Sequence, residues 1–409
     1  MEFLVYTGLF LALYFGIFVF LTFFENRKQV YKTAKTQNIP KVSIIVPCYN
    51  EQDNVTLTLD SLLALNFPKD KLEIIIIDDG SKDKTWQAIK QFERNHQGRD
   101  IKTFHKENGG KYTALNLGIK ESDGEIIGCI DADCYAEKNS LKNMLAYFED
   151  EETACVISSI KIMKPKNILE GIQFAEFLIS SFLKKVFSFL GCISVTPGPL
   201  SLLRRQVLVE AGPYKKAHLT EDLEMALRLQ NKHFKITHAL ESIVYTKGQP
   251  TIKGLCRQRL RWRRGFLLNL KDYPQLLNIK KHGNLSFMLW YNLFGALLSI
   301  GLVGYALFRL VIFSSKTIHH ALLLNFDFTP YLSWTAKMPS FNVKPTLLLG
   351  IMALVVLFCF LLMGKRLTFD KTKLKRKAIF YVLAFSFLNT AWWVLAGLSV
   401  LFRKEIAWK

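Results

Sequence analysis

Asp131 and Asp133 stand two positions apart, at the end of the apolar run Ile126-Ile-Gly-Cys-Ile130, with only Ala132 between them. An apolar run of this length suits a buried strand, and ligands of open α/β sheets bind at the carboxyl ends of the strands. If the strand continues through the pair, both carboxylates lie on one face. Two carboxylates so close repel unless a cation sits between them. Mg²⁺ or Mn²⁺ bridging to a diphosphate would be such a cation, because Mg²⁺ takes one or two carboxylates plus substrate phosphates. A hard cation with phosphate prefers oxygen, so the neighbouring thiol of Cys134 is a poor ligand.

Other polar tips follow the same logic. Val42-Ser-Ile-Ile-Val-Pro47-Cys-Tyr49 reads as a strand whose end carries Pro47, Tyr49, Asn50 and Glu51. Glu73-Ile-Ile-Ile-Ile-Asp-Asp79-Gly-Ser81 reads as a second. Three strands presenting polar tips on one edge provide what a nucleotide needs: an acceptor for a base imide, a partner for ribose hydroxyls and a cation for the diphosphate. Asn108-Gly-Gly-Lys111 places a lysine where a loop enters a helix, and both a helix start and an ammonium suit phosphate. Thr220-Glu221-Asp222 opens a helix; Thr220 as N-cap and acids in the first turn explain it locally, and the same acids are available for proton transfer. Gln258, Arg261 and Trp262 fall at i, i+3 and i+4, on one helix face. A guanidinium binds phosphate oxygens as a bidentate fork, and an indole offers a flat face to a sugar ring.

These residues need a scaffold. Short apolar runs alternate with amphipathic stretches from residue 40 to 246, which predicts βαβ units, an α/β class and a mostly parallel sheet. Around it the composition changes. Half of the 409 residues are hydrophobic, Phe occurs 32 times and the formal net charge is +20. Phe3 to Phe24 is apolar, uncharged and long enough to span a bilayer, so residues 1–26 form a first membrane helix. Residues 247–282 form a basic interfacial segment, with nine Lys or Arg and one acid between Lys253 and Lys281. Residues 283–409 hold three further apolar segments, Leu285 to Phe313, Thr346 to Met363 and Ala378 to Phe402, with Ser314 to Pro345 as a linker. Basic residues after the first span (Arg27, Lys28, Lys32, Lys35, Lys41) and between Lys365 and Lys377 put those sides in the cytoplasm. That makes a multi-pass plasma-membrane protein with a cytoplasmic catalytic domain and membrane lipids as partners. Leu169 to Leu190 is aromatic and amphipathic, fit for a core or for the membrane interface. No nucleic-acid-binding signature is present. Seven cysteines without Cys-x-x-Cys spacing read as reduced, mostly buried thiols.

Asp78-Asp79-Gly80-Ser81, Asp131-Ala132-Asp133, Thr220-Glu221-Asp222 and Gln258-x-x-Arg261-Trp262, in this order between membrane segments, resemble the processive family 2 glycosyltransferases. These are the membrane synthases of hyaluronan, chitin, cellulose and poly-N-acetylglucosamine. The resemblance is close from Lys41 to Gly265 and architectural elsewhere. It implies a GT-A (Rossmann-like) domain that takes a UDP-sugar donor and a growing polysaccharide or lipid-linked acceptor. Asp79, Tyr49 and Glu51 would hold uridine, with Pro47 on the same tip. Asp131 and Asp133 would hold Mg²⁺ or Mn²⁺ and the diphosphate, Asp133 as the more direct ligand, and Lys111 would face the diphosphate. Asp222 would be the general base, with Glu221 beside it. Gln258 and Arg261 would close over the diphosphate and Trp262 would stack on the acceptor sugar. Gly198 lies in the segment Thr196 to Pro199, which the resemblance places against the acceptor. Gly191-Cys192 and Gly198-Pro-Leu200 resemble hyaluronan synthases, whereas Thr220-Glu-Asp222 and Arg261-Trp-Arg-Arg-Gly265 resemble poly-N-acetylglucosamine and chitin-like enzymes, which favours UDP-N-acetylglucosamine. One span before the domain and three after it are few for a channel, so a partner subunit or a homo-oligomer would complete it. The alternative is transfer of a single sugar to a lipid or lipid-linked acceptor. A non-catalytic nucleotide-sugar-binding component would have no use for Asp222.

Overall fold

Eight strands in the order β3-β2-β1-β4-β7-β6-β8-β5 form one mixed sheet under the site. The strands are β1 (Val42–Cys48), β2 (Leu72–Asp78), β3 (Ile101–His105), β4 (Ile126–Cys129), β5 (Tyr135–Ala136), β6 (Thr153–Ile162), β7 (Ser201–Arg204) and β8 (Lys235–Thr246). The computed structural model describes residues 2–31, 39–323, 345–372 and 377–402. The β1–β2, β1–β4, β2–β3 and β6–β8 pairings are parallel, and the remaining three are antiparallel. Strand alternation splits the isoleucine runs between two cores. Ile44, Val46, Ile74 and Ile76 pack on one face with α2 (Val55–Leu63) and α5 (Ser140–Leu145). Ile45, Ile75, Ile77 and Ile127 pack on the other with α4 (Lys111–Lys120) and α8 (Glu221–Asn231). Strands buried on both faces read as unbroken apolar runs, and this is why β1 and β2 are plain in the sequence. The α3 helix (Thr85–Asn95) covers the β3 edge, and α7 (Arg205–Ala211) follows β7 directly.

The sheet rests on helices. Membrane-type helix α1 (Glu2–Glu25) and α11 (Pro345–Leu367) pack on α6 (Ile168–Phe189) through Val19, Phe23, Phe182 and Phe360. A Cβ at Gly364 would lie 2.0 Å from the Leu178 carbonyl oxygen, so α11 touches the α6 backbone there. The α6 helix is therefore a core helix between the sheet and the apolar helices. The α9 helix (Ile252–Asp272) lies against α12 (Lys377–Leu401), where Arg263 donates to Asn389 at 2.7 Å and Trp392 Nε1 donates to Cys256 Sγ at 3.3 Å. The α10 helix (Ile279–Leu323) is kinked at Gly283, whose φ is +47°.

Phe3–Glu25, Ile279–Leu323 and Leu347–Leu367 are long and apolar enough to cross a membrane, and Leu388–Leu401 is a shorter apolar stretch of the fourth helix. One expectation fails. The linker expected from Ser314 is helical as far as Leu323. Thr317 Oγ1 donates back to the Phe313 carbonyl at 2.9 Å, so a polar patch that reads as a loop is satisfied by its own helix. Lys32, Lys35, Lys373, Lys375 and Arg376, used for the topology argument, lie outside the described residues. All seven cysteines are free, five of them buried.

Candidate functional site

The β4 strand ends at Cys129, before the carboxylates. The strand does not continue through the pair, so Asp131 and Asp133 follow its carboxyl end in a tight turn, closed by the Cys134 amide donating to the Asp131 carbonyl at 3.1 Å. The turn brings ligand atoms of Asp131, Asp133 and Cys134 within 4.8 Å of one another. Burial, and then the charge of Asp131, pushes the Asp133 carboxyl up to about 6. Burial also holds the Cys134 thiol well above its ordinary value, and Cys134 donates to Asp133 Oδ1 at 3.3 Å. The two carboxylates form an oxygen donor set that fits a hard divalent cation, which prefers oxygen to sulfur. The Asp131 amide donates to the Gly198 carbonyl at 3.2 Å. A Cβ at Gly198 would fall 2.3 Å from Asp131 Oδ2, so only glycine lets this segment pass beside the carboxylate.

Gly110, at φ +91°, turns the chain into α4, and Lys111 is the first helical residue. Its ammonium is 2.8 Å from Asp131 Oδ1, 3.3 Å from Asp222 Oδ2 and 3.5 Å from Glu221 Oε1. Burial opposes the charge on Lys111, but three carboxylates outweigh it and raise the ammonium well above its usual value. Asp222 is pushed up to about 7, first by burial; Lys111 opposes this, and Glu221 and Asp131 add to it. Thr196 donates to the Asp222 carbonyl through its amide at 3.1 Å and its hydroxyl at 2.8 Å. Residues 196–198 therefore join the start of α8 to the Asp131 turn.

The tips of β1 and β2 are laced together: Asn50 N–H donates to Ser81 Oγ at 2.9 Å and Glu51 N–H to Thr85 Oγ1 at 2.8 Å. Glu51 accepts from Asn54 at 2.6 Å, and its charge reaches Asp133. Pro47 and Tyr49 are half-buried on the same tip. Asp79 is buried and accepts the amides of Gly109 at 3.0 Å and Gly110 at 2.9 Å, with Lys106 as a further donor. It thus fixes the loop that aims Lys111. Lys106 has no motif to mark it, whereas Thr196 opens the segment 196–199 that was expected against the acceptor.

On α9, Arg261 donates to the Leu219 carbonyl, two residues before Glu221, and the charges of Glu221, Asp222 and Asp131 act on it. Burial lowers its pKa first, and those acids oppose this. The Arg259 guanidinium sits 4.1 Å from the Trp262 ring centroid and pairs with Glu176 of α6 at 2.7 Å. Gln258 is half-buried on the same helix. Lys111, Asp131, Glu221 and Asp222 are thus brought into one contact cluster, with Asp133, Gly198 and Arg261 bordering it.

Residues 43–211 match the model of glycosyl transferase family 2. Over 288 residues the chain is 30% identical to the poly-β-1,6-N-acetyl-D-glucosamine synthase of Staphylococcus epidermidis, covering 68% of this chain and 69% of that protein. The chain belongs to the family 2 glycosyltransferases. This glycosyltransferase is also 27% identical to the probable glycosyltransferase YdaM of Bacillus subtilis over 413 residues, 95% of this chain and 90% of that one. Its fold is similar to that of the mannosyltransferase PcManGT of Pyrobaculum calidifontis, solved with GDP-Man and Mn²⁺, at TM-score 0.60 and 16% identity over 98% of this chain and 100% of that one. The GT-A fold of this glycosyltransferase is that of the sheet and site described above.

Proposed function

We propose that this glycosyltransferase is a multi-pass plasma-membrane polysaccharide synthase. It polymerises N-acetylglucosamine from UDP-N-acetylglucosamine, by inversion, into an extracellular β-linked chain, with the catalytic domain in the cytoplasm. The observation that carries the reading is the Lys111 bridge, which brings Asp131 and Asp222 to one ammonium, at 2.8 Å and 3.3 Å. A proton acceptor and a diphosphate site that close suit attack at one sugar carbon. The 30% identity to a poly-N-acetylglucosamine synthase supports the sugar and the polymer.

In this reading Asp222 takes the proton of the acceptor hydroxyl. The acceptor oxygen bonds to the anomeric carbon as the bond from that carbon to the diphosphate oxygen breaks. No covalent intermediate on the enzyme is needed. Asp131 and Asp133 would hold Mg²⁺ or Mn²⁺, which when bound neutralises the leaving diphosphate. Gln258, Arg261 and Lys111 meet the same diphosphate, the tips of β1 and β2 (Pro47, Tyr49, Glu51, Asp79) hold uridine, and Trp262 carries the acceptor sugar.

The purified protein, supplied in turn with UDP- and GDP-sugars, should release UDP from UDP-N-acetylglucosamine and yield products spaced by that one sugar. A product carrying a single added sugar would overturn the polymerase reading in favour of transfer to a lipid-linked acceptor.

The base has a pH signature. Asp222 acts when deprotonated, so kcat/KM should rise with pH through a limb near 7, the value to which burial has raised it. Lys111 opposes that rise. Lys111→Gln should therefore move the limb to higher pH, on the order of one unit. A limb that stays put in Lys111→Gln would show that another group titrates.

A further inference from the structure

Three successive residues just before the base, Ala217, His218 and Leu219, have φ of 40°, 54° and 64°. None is Gly, Asn or Asp, the residues that enter the left-handed region readily, and even those enter it singly. Such a run persists only where the surroundings over-determine it, and places of this kind cluster at functional sites.

The residues around this turn lie on one face of α9, at positions 261, 265, 269 and 272. Arg261 donates to the Leu219 carbonyl. His218 Nε2 is 2.9 Å from Asp272 Oδ2. Asn269 Nδ2 donates to Thr220 Oγ1 at 2.8 Å, reaches the Ala217 carbonyl at 3.4 Å, and meets the Gly265 carbonyl of its own helix at 2.9 Å. Thr220 Oγ1 in turn donates to the Ala217 carbonyl at 3.0 Å. A Cβ at Gly265 would lie 2.4 Å from the Thr220 side chain, so the helix presses directly on the residue that opens α8.

Asn269 is completely buried. Its Oδ1 has no hydrogen-bond partner among the described residues. An amide with one buried end unsatisfied is costly, and such groups in native structures call for an explanation. Its other end supplies one: it is spent on the turn.

We propose that Asn269 is a positioning residue for the transfer reaction: it props the left-handed turn 217–219 against α9 and so sets where the start of α8 presents Asp222. The proposal rests on the reading of Asp222 as the base. Arg261 belongs both to the turn and to the diphosphate contacts. Asn269 is buried behind them and spends its amide on the turn, on Thr220 and on its own helix, so it separates base placement from donor binding.

Asn269→Leu, alike in branched shape though bulkier, and unable to donate, should lower kcat by roughly tenfold to a hundredfold, the effect of displacing a reacting group by about 1 Å. The Kd for UDP should stay within about twofold, because base placement acts on the transition state. Ala217→Gly removes the Cβ penalty at φ +40°. Added to Asn269→Leu, it should recover at least about threefold in kcat, a rescue that a merely structural asparagine would not show. If Asn269→Leu does not accumulate as folded protein, Asn269→Ser, which keeps a shorter donor, carries the same comparison. Wild-type kcat in the asparagine variant, a kcat loss that Ala217→Gly does not lift, or an equal loss of UDP affinity would overturn the proposal. Turnover of any sugar nucleotide serves these measurements. A wild-type protein that turns over none would instead sink the catalytic reading. In that case thermal unfolding still tests the prop: Asn269→Leu should lower the midpoint less when Ala217→Gly is present, and equal losses would refute it.

Discussion

Asp222→Asn should reduce polymer synthesis by about 10²–10⁴-fold, the range that a positioned acid or base contributes. The Kd for UDP should move by no more than a few fold. The substitution keeps shape and removes only the ability to take a proton, so the loss belongs to the transition state and not to donor binding. The surroundings sharpen the contrast. Asp222 is held by its own carbonyl, which accepts two hydrogen bonds from Thr196, so the backbone of α8 has no reason to shift when the carboxylate becomes an amide. Asp133→Ala provides the opposite pattern. It removes half of the two-carboxylate donor set in the Asp131 turn, so metal-dependent UDP binding itself should weaken. Titrating UDP into each purified variant with Mg²⁺ or Mn²⁺, alongside polymer yield, distinguishes the two roles. Polymer synthesis retained by Asp222→Asn would end its assignment as the base.

What the sequence revealed of this site follows from where its information lies. Strands β1 and β2 were legible because both faces are buried, so Ile44, Ile45, Ile74 and Ile75 leave no polar interruption. Strands β6 and β8 were not. They carry Ser158, Ser159, Lys161, His238 and Ser242 inside the fold, and polar residues at core positions break the apolar pattern. Their partners come from far along the chain. Ser159 Oγ meets His238 Nε2 at 3.1 Å, Lys185 donates to the His238 carbonyl at 3.0 Å, and Lys161 donates to the Thr368 carbonyl at 2.8 Å. The chemical residue types were legible too, but not their mutual contacts. Lys111 was expected toward a diphosphate; its place among Asp131, Glu221 and Asp222 depends on the packing of α4 beside α8, 111 residues later in the chain from Lys111 to Asp222. Asn269 carries no signal, because an amide becomes informative only when the carbonyl it serves is known. Whether the strand ran on through Asp131 was left open for a related reason. An apolar run marks where a strand lies, while the residue at which its ladder ends is set by the neighbour, and β1 pairs with β4 only as far as Cys129.

Trp262→Ala decides between polymerisation and single transfer. If the indole is the platform for the acceptor sugar, its loss leaves the chain end out of register with the anomeric carbon. Orientation of reactants is worth several kcal/mol, so polymer synthesis should fall on the order of 10²-fold or more. UDP affinity should change little, because Arg261 and the Asp131 turn remain. Slow hydrolysis of the donor by water should survive, since water needs no platform. The structure also defines the competing explanation. Arg259 lies over the Trp262 ring at 4.1 Å and is buried against Glu176 of α6. Removing the indole strips a cation–π contact from a desolvated guanidinium, worth about 2 kcal/mol, and could loosen α9 from α6. In that event the thermal midpoint drops, and transfer and hydrolysis fall together. Trp262→Phe separates the cases further, because a phenyl ring keeps both a flat face and a partner for Arg259, and should retain measurable polymerisation. UDP release, polymer length and unfolding temperature on the same purified variants give the answer. Equal loss of hydrolysis and transfer in a stably folded Trp262→Ala protein would remove Trp262 from the acceptor site.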